Sequence, residues 1–356
     1  MEVWTTGSAS PRGIMHEAPR LEANGWDGLL VVDSQNLSGD PYVSLAMAAT
    51  VTERLGLGTG VSNSVTRVSA VTAASIESVN RVSRGRAVLG IGRGDSALAH
   101  LGRAPARVAQ FERYVAQVQA YLSGQPVAFD DINIDEQVAP PMAELGFAGA
   151  PETSRIGWIS GERKPPVEVA ASGPRVIAVG ARHADRLMFT LGADPDRIAW
   201  GIAQARDAMA ASGRNPGKLT FGAFVNCAPH PDIDVARDLA RGGVTTFARF
   251  SVMHGGGAAG PVAPGNADVM QDVRKAYDMR AHTRSDSQQA SVLTPEFIDQ
   301  FAIVGDPDHC VQRLHELAAL GLDKVVLGGG RRGANEADAA TTQDLLEREV
   351  LPNIPR

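Results

Sequence analysis

Eight short apolar runs, each followed by a stretch of helical periodicity, set the main limit on how this chain can fold. The runs fall at 2–6, 28–32, 57–61, 87–91, 167–171, 186–190, 219–225 and 324–327. They are mostly continuous rather than alternating, as strands buried on both faces are. Parallel strands need a crossover between neighbours, so strand and helix in strict alternation specify a parallel sheet. With eight repeats of about 30 residues each, the expected architecture is a (β/α)8 TIM barrel, one domain over residues 1–356.

The helical stretches 41–55, 69–82, 107–122, 195–212 and 307–320 carry their own start and stop signals. Asp40-Pro41, Asp194-Pro195 and Asp306-Pro307 each place a carboxylate where it can accept the first free N–H groups. The proline follows at the position where its missing N–H costs nothing. Gly25, Gly56, Gly85, Gly213 and Gly321 are expected to close helices in the left-handed conformation. Two stretches break the rhythm, 125–165 between the fourth and fifth strands and 247–303 between the seventh and eighth. Long insertions on a barrel commonly build its pocket, and both are expected to do so here.

Composition removes several function classes. At 44% hydrophobic and 21% charged residues the chain can bury a large core. A net charge of -6 supplies no basic stripe for nucleic acid. No uncharged apolar run reaches the roughly 18 residues of a membrane span, and no signal peptide opens the chain. Two cysteines, Cys227 and Cys310, cannot form a disulfide framework, which fits a cytoplasmic protein. The eight histidines show no metal-ligand spacing, so no metal is expected.

Barrel enzymes work at the C-terminal ends of their strands. The residues just past the strands are Asp33-Ser34, Ser62-Asn63, Arg93-Gly94-Asp95-Ser96, Ser172-Gly173-Pro174-Arg175, Asn226, and Gly328-Gly329-Gly330-Arg331-Arg332. Gly92-Arg93-Gly94-Asp95-Ser96-Ala97 also spells a dinucleotide fingerprint. The acidic residue such a fingerprint needs about 20 positions on, Glu112, falls inside a helical pattern instead of ending a strand. His254-Gly255-Gly256-Gly257 imitates an oxyanion loop without a Gly-x-Ser-x-Gly nucleophile to use it.

The segments Leu57-Gly58-Thr59-Gly60-Val61-Ser62-Asn63, Thr66-Arg67, Gly85-Arg86-Ala87-Val88-Leu89-Gly90-Ile91-Gly92-Arg93-Gly94-Asp95 and Leu101-Gly102, in this order, resemble the bacterial luciferase-like family of flavin- and deazaflavin-dependent oxidoreductases. Within it the resemblance is to the F420-dependent branch typified by methylenetetrahydromethanopterin reductase. It implies an oxidoreductase that moves a hydride between C5 of F420 and a small organic substrate, with an FMN-dependent two-component monooxygenase as the alternative. It further implies a non-prolyl cis peptide at Gly60-Val61 behind the ring, with Ser62 and Asn63 beside it. Asp33 matches an acidic residue lining ring and pocket, where its other possible role is to cap the next loop. Asp95 matches a residue proposed to assist proton transfer, for which a carboxyl with a raised pKa would serve, or it caps the helix beginning at Ser96. Some relatives carry a histidine where Ser34 stands here.

Arg93 and Gly94 belong to the same turn as Asp95, and Ser172, Gly173, Pro174 and Arg175 resemble the family's phosphate-binding loop. The resemblance also implies a homodimer through the helices at 41–55 and 69–82. A separate flavin reductase would be a partner if FMN is the cofactor.

Overall fold

A computed structural model describes residues 1–253, 257–328 and 332–354. Its strands are β1 (Glu2–Gly7), β2 (Gly28–Val31), β3 (Gly56–Thr59), β4 (Ser62–Asn63), β5 (Ala87–Gly92), β6 (Val167–Ala171), β7 (Arg186–Phe189), β8 (Thr220–Pro229), β9 (Ile303–Gly305) and β10 (Lys324–Gly328). All pair in parallel, in the order β10, β1, β2, β3, β5, β6, β7, β8, and the β10–β8 pairing, Lys324 opposite Gly222, closes the ring. This is the expected eight-stranded barrel, with helices as its crossovers. Two strands were not foreseen. β4 carries on the line of β3 beyond a cis Gly60–Val61 peptide and pairs with β5, and β9 lies along an extension of β8 past residue 225.

The helix starts follow from their residues. Asp40, Asp194 and Asp306 all accept backbone N–H groups with their side chains, and proline follows each. Gly25, Gly85, Gly213 and Gly321 have positive φ, as expected of helix-closing glycines. Gly56 does not fit that expectation, because the helix Pro41–Thr50 ends earlier and Gly56 opens β3. Its purpose is space: a Cβ there would lie 2.4 Å from Cζ2 of Trp4, and one at Gly28 2.3 Å from Cδ2 of the same ring. Trp4 thus fills the barrel interior at the cost of two side chains on its neighbours, packing with Leu30, Val88, Met188 and Val326.

Below this layer, toward the N-terminal ends of the strands, sits a buried ion pair. Lys324 Nζ donates to both carboxylate oxygens of Glu168, at 3.0 and 2.9 Å, and Arg186 donates to the same carboxylate at 2.8 Å. The ammonium also lies 3.4 Å from the centroid of the Trp4 ring. Burial pulls the lysine below its ordinary value, against the pull of Glu168.

The two insertions behave differently. Residues 125–165 form turns, two short 3-10 segments and one isolated bridge, Val127 to Ser154, on the outside of the barrel. Residues 247–303 carry the helices Asn266–Ala276, Gln288–Ser291 and Pro295–Phe301 and pack a second apolar cluster around Leu239, Met270, Phe297 and Phe301. Arg197, fully buried, bolts this insertion down. Its guanidinium donates to the Leu191 carbonyl at 3.1 Å, the Pro261 carbonyl at 2.8 Å and Ser251 Oγ at 2.9 Å.

Candidate active site

Parallel strands bring their C-terminal ends to one mouth, and there the structure has a cavity of about 1130 Å³. Asp33, Gly60, Val61, Asn63, Arg93, Gly94, Asp95, Ser172, Gly173, Pro174 and Arg175 all line it, so sequence-distant candidates converge on one space. Ser62 does not line it. Buried behind Val61, it donates from Oγ to Asp33 Oδ2 at 2.7 Å. The expectation that both insertions shape the pocket holds for one only. No described residue of 125–165 reaches the cavity, whereas Phe247, Phe250, Val252, Met253, His282 and Thr283 of the second insertion line it. The rest of the glycine-arginine segment after β10, apart from Gly328 and Arg332, and His254-Gly255-Gly256 lie outside the described residues.

Asp33 is held from three sides. Besides Ser62, its carboxylate accepts from Arg67 at 2.6 Å and from Gln35 Nε2 at 2.9 Å. Arg67 also reaches Asp40 at 2.7 Å and lies over the Tyr42 ring. A carboxylate so engaged fixes the bend after Val61 rather than capping a loop. Ser34 Oγ, next along the chain, is 3.2 Å from Ser96 Oγ.

Asp95 stands at the start of the short helix Ser96–Ala99 but makes no side-chain cap bond to it, so the capping role is not used. Its carboxylate is instead ion-paired with Arg249, from the helix Ile233–Ser251. That ion pair ties the strand end after β5 to the end of the helix Ile233–Ser251. Arg249 in turn lies 4.3 Å from the Tyr277 ring centroid, and Tyr277 Oη is 2.6 Å from His282 Nδ1. His282 lines the cavity, and burial first of all lowers its pKa from 6.5 to about 4. Sequence reasoning missed Arg249, Tyr277 and His282, since no local spacing links residues contributed by a helix and an insertion to the strand ends they face.

Arg93 and Arg175 also line the cavity, Arg93 with its Nε donating to the Ala106 carbonyl. Burial and then the like charge of Arg175 lower Arg93 from its ordinary value. Arg175 sits in the first turn of the helix Pro174–His183, whose N-cap, Gly173, has no side chain to cap it. A helix N-terminus with Arg175 in its first turn, close enough to Arg93 to feel its charge, forms a place for an anion. Two further groups point to a polar ligand. Asn63 Oδ1 accepts from the N–H groups of Val65 and Thr66, both at 3.0 Å, which leaves its buried Nδ2 without a partner. Asn226 Nδ2, also at the cavity, is likewise buried and unsatisfied.

A barrel with its polar groups gathered at the C-terminal mouth defines an enzyme of the TIM-barrel class, and comparison with known proteins narrows it. The family model described as luciferase-like monooxygenase matches residues 2–324, and the chain belongs to that family. It is 26% identical over 344 residues to the 5,10-methylenetetrahydromethanopterin reductase of Methanolobus tindarius, covering 95% of each chain. Among solved structures, the coenzyme F420 dependent tetrahydromethanopterin reductase from Methanopyrus kandleri superposes with a TM-score of 0.72 at 20% identity, covering 99% of each chain. An F420-dependent secondary alcohol dehydrogenase, solved with an F420-acetone adduct, gives 0.73 at 16% identity, covering 100% of this chain and 99% of that one. These likenesses to solved structures bear out the barrel, and the family match bears out the resemblance seen in the sequence.

Proposed function

We propose that this protein is an oxidoreductase that binds F420 at the mouth of its barrel and exchanges a hydride with a small organic substrate, working as a single barrel unit in the cytoplasm. The observation that carries the reading is the helix N-terminus with Arg175, near Arg93, in one cavity with the turn at Gly60 and Val61. A deazaflavin needs both an anion grip and a surface for its ring, and the similar proteins along nearly the whole chain include a 5,10-methylenetetrahydromethanopterin reductase and a coenzyme F420 dependent tetrahydromethanopterin reductase. Bound F420 would supply the two-electron chemistry. The protein's own residues then have distinct tasks. Gly60 and Val61, with Ser62 pinned behind them by Asp33, would back the ring. Asn63 Nδ2 offers a hydrogen bond to a ligand acceptor. Ser172, Gly173, Pro174 and Arg175, together with Arg93, would hold the phosphate. Asp95 keeps Arg249 in place beside the substrate space, a positioning role in place of the proton donation expected for it.

The second reading, an FMN monooxygenase served by a separate flavin reductase, is favoured by the description of the family itself. Titration of the purified protein with F420 and with FMN, followed by the fluorescence of each, separates the two. Binding of F420 alone upholds the proposal, binding of FMN alone moves the case to oxygenation, and binding of neither removes both. If Arg175 grips a phosphate, Arg175→Ala weakens F420 binding by a larger factor at low salt than at high salt. A loss that ignores salt assigns Arg175 to packing instead.

We further propose a homodimer through the helices Pro41–Thr50 and Ser69–Val82. Their exposed valines, Val43 at 52%, Val71 at 49% and Val82 at 49%, are apolar surface that a second copy would cover. Sedimentation at the mass of one chain would sink it.

A further inference from the structure

We propose that His282, held by Tyr277, is the proton donor to the oxygen of an apolar ketone bound against the insertion wall, an assignment that rests on the function proposed above. Among the described residues lining the cavity, His282 is the one imidazole. Its orientation is fixed by a short chain of hydroxyls. Thr246 Oγ1 is 3.5 Å from Tyr277 Oη, and Tyr277 Oη is 2.6 Å from His282 Nδ1. Burial raises the phenol above its ordinary value, so it keeps its proton, and in the proposed arrangement Nδ1 accepts its hydrogen bond. The imidazole proton therefore sits on Nε2.

The surroundings select the substrate. His282 is faced by Asp95 from the β5 end, Arg249 from the helix Ile233–Ser251, Arg332 from beyond β10 and His100 after the short helix Ser96–Ala99. The single carboxylate among them is already ion-paired with Arg249. A cationic iminium would meet net positive charge, whereas a neutral carbonyl that gains negative charge as it is reduced would be stabilised. The cavity that His282 lines is lined also by the apolar side chains of Phe247, Phe250, Val252 and Met253, so the remainder of the substrate is hydrocarbon.

The step balances. The carbonyl carbon gains a hydride, supplied under the proposed function by the reduced deazaflavin, and the carbonyl π pair moves to oxygen. The His282 Nε2–H bond breaks as the new O–H bond forms, while Nδ1 takes the Tyr277 proton. The phenolate left behind faces the Arg249 guanidinium at 4.3 Å from the ring centroid and is reprotonated from solvent.

Two measurements test this. The first needs no cofactor: nitrogen NMR of the histidines, with His282→Gln used to identify the signal. The Nε2–H tautomer, neutral at pH 6 and protonating near pH 4, is expected, and Tyr277→Phe should abolish the tautomer preference and raise the midpoint. An Nδ1–H tautomer, or a wild-type midpoint near the ordinary value of about 6.5, overturns the assignment. The second uses F420-loaded, reduced enzyme with cyclohexanone and 2-hexanone as probes. His282→Gln should lower turnover by about 10²–10⁴-fold, with F420 affinity within about twofold of wild type. Tyr277→Phe should lower turnover less and shift its pH profile. Unchanged turnover in His282→Gln overturns the donor role, and reduction of neither ketone by wild type that binds F420 overturns the substrate class. Wild type that fails to bind F420 counts against the function proposed above, and the tautomer measurement then decides the Tyr277–His282 pair alone.

Discussion

Glu168→Ala will lower the free energy of unfolding by about 3–5 kcal/mol, the range found when one partner is removed from a buried ion pair. The reason lies beneath the Trp4 ring. Lys324 is fully buried, and Glu168 is the carboxylate its ammonium binds directly, at 3.0 and 2.9 Å. Without Glu168 the ammonium is stranded among strands and an indole face. It must then either shed its proton or draw water into the barrel, and Arg186 loses its 2.8 Å contact with the same carboxylate. The double variant Glu168→Met with Lys324→Met should recover most of the loss, because neutral side chains of similar length carry no desolvation penalty. Urea unfolding followed by tryptophan fluorescence checks both, since Trp4 reports on this layer. A loss below about 1 kcal/mol in the single variant would mean that the pair is hydrated, against the burial described above.

Gly90→Ala is expected to destabilise the fold by about 1–3 kcal/mol and to weaken cofactor binding as well. A Cβ at Gly90 would lie 2.1 Å from the Thr59 carbonyl oxygen and 3.3 Å from Val61 Cγ1. The oxygen is backbone and cannot swing aside, so strand β3 and the turn after it must shift. Gly92→Ala is the control. Its Cβ would meet only Val61 Cγ2, at 3.1 Å, and Ala170 Cβ, at 3.9 Å. That is a side-chain contact able to give by a few tenths of an ångström. The comparison reads stability from urea midpoints and binding from F420 fluorescence. Equal behaviour of the two variants would show that the turn at Gly60 and Val61 is not held by the approach of β5.

The parts of the fold legible in the sequence are those fixed by local chemistry. Continuous apolar runs gave the barrel strands, and Asp40, Asp194 and Asp306 marked helix starts because an N-cap needs only its own neighbours. Gly56 misled because a glycine kept for want of space reads the same as one kept for positive φ, and the space it yields belongs to Trp4, far along the chain. β9 escaped notice because three residues have no period to read. In the candidate site, the strand-end residues were found and their convergence is clear, while their partners were not. Asp95 and Arg249 are 154 positions apart, and only the closed barrel brings them together. Asp33 could be named from its place after β2, but not its triple hold by Ser62, Arg67 and Gln35, which depends on the packing of three separate segments.

The anchoring of the insertion by Arg197 bears on how the cavity meets its ligand. A guanidinium with no exposed surface, bonded to Leu191, Ser251 and Pro261, ties the cavity wall to the barrel as part of folding itself. The wall around Val252 is therefore already ordered when a ligand arrives, and the entropy of ordering it is not charged against binding. Under the function proposed above, discrimination would then work as lock and key. A molecule of the wrong outline would be refused at once, and relaxed selectivity is to be sought by loosening Arg197 rather than by enlarging any one side chain it holds in place.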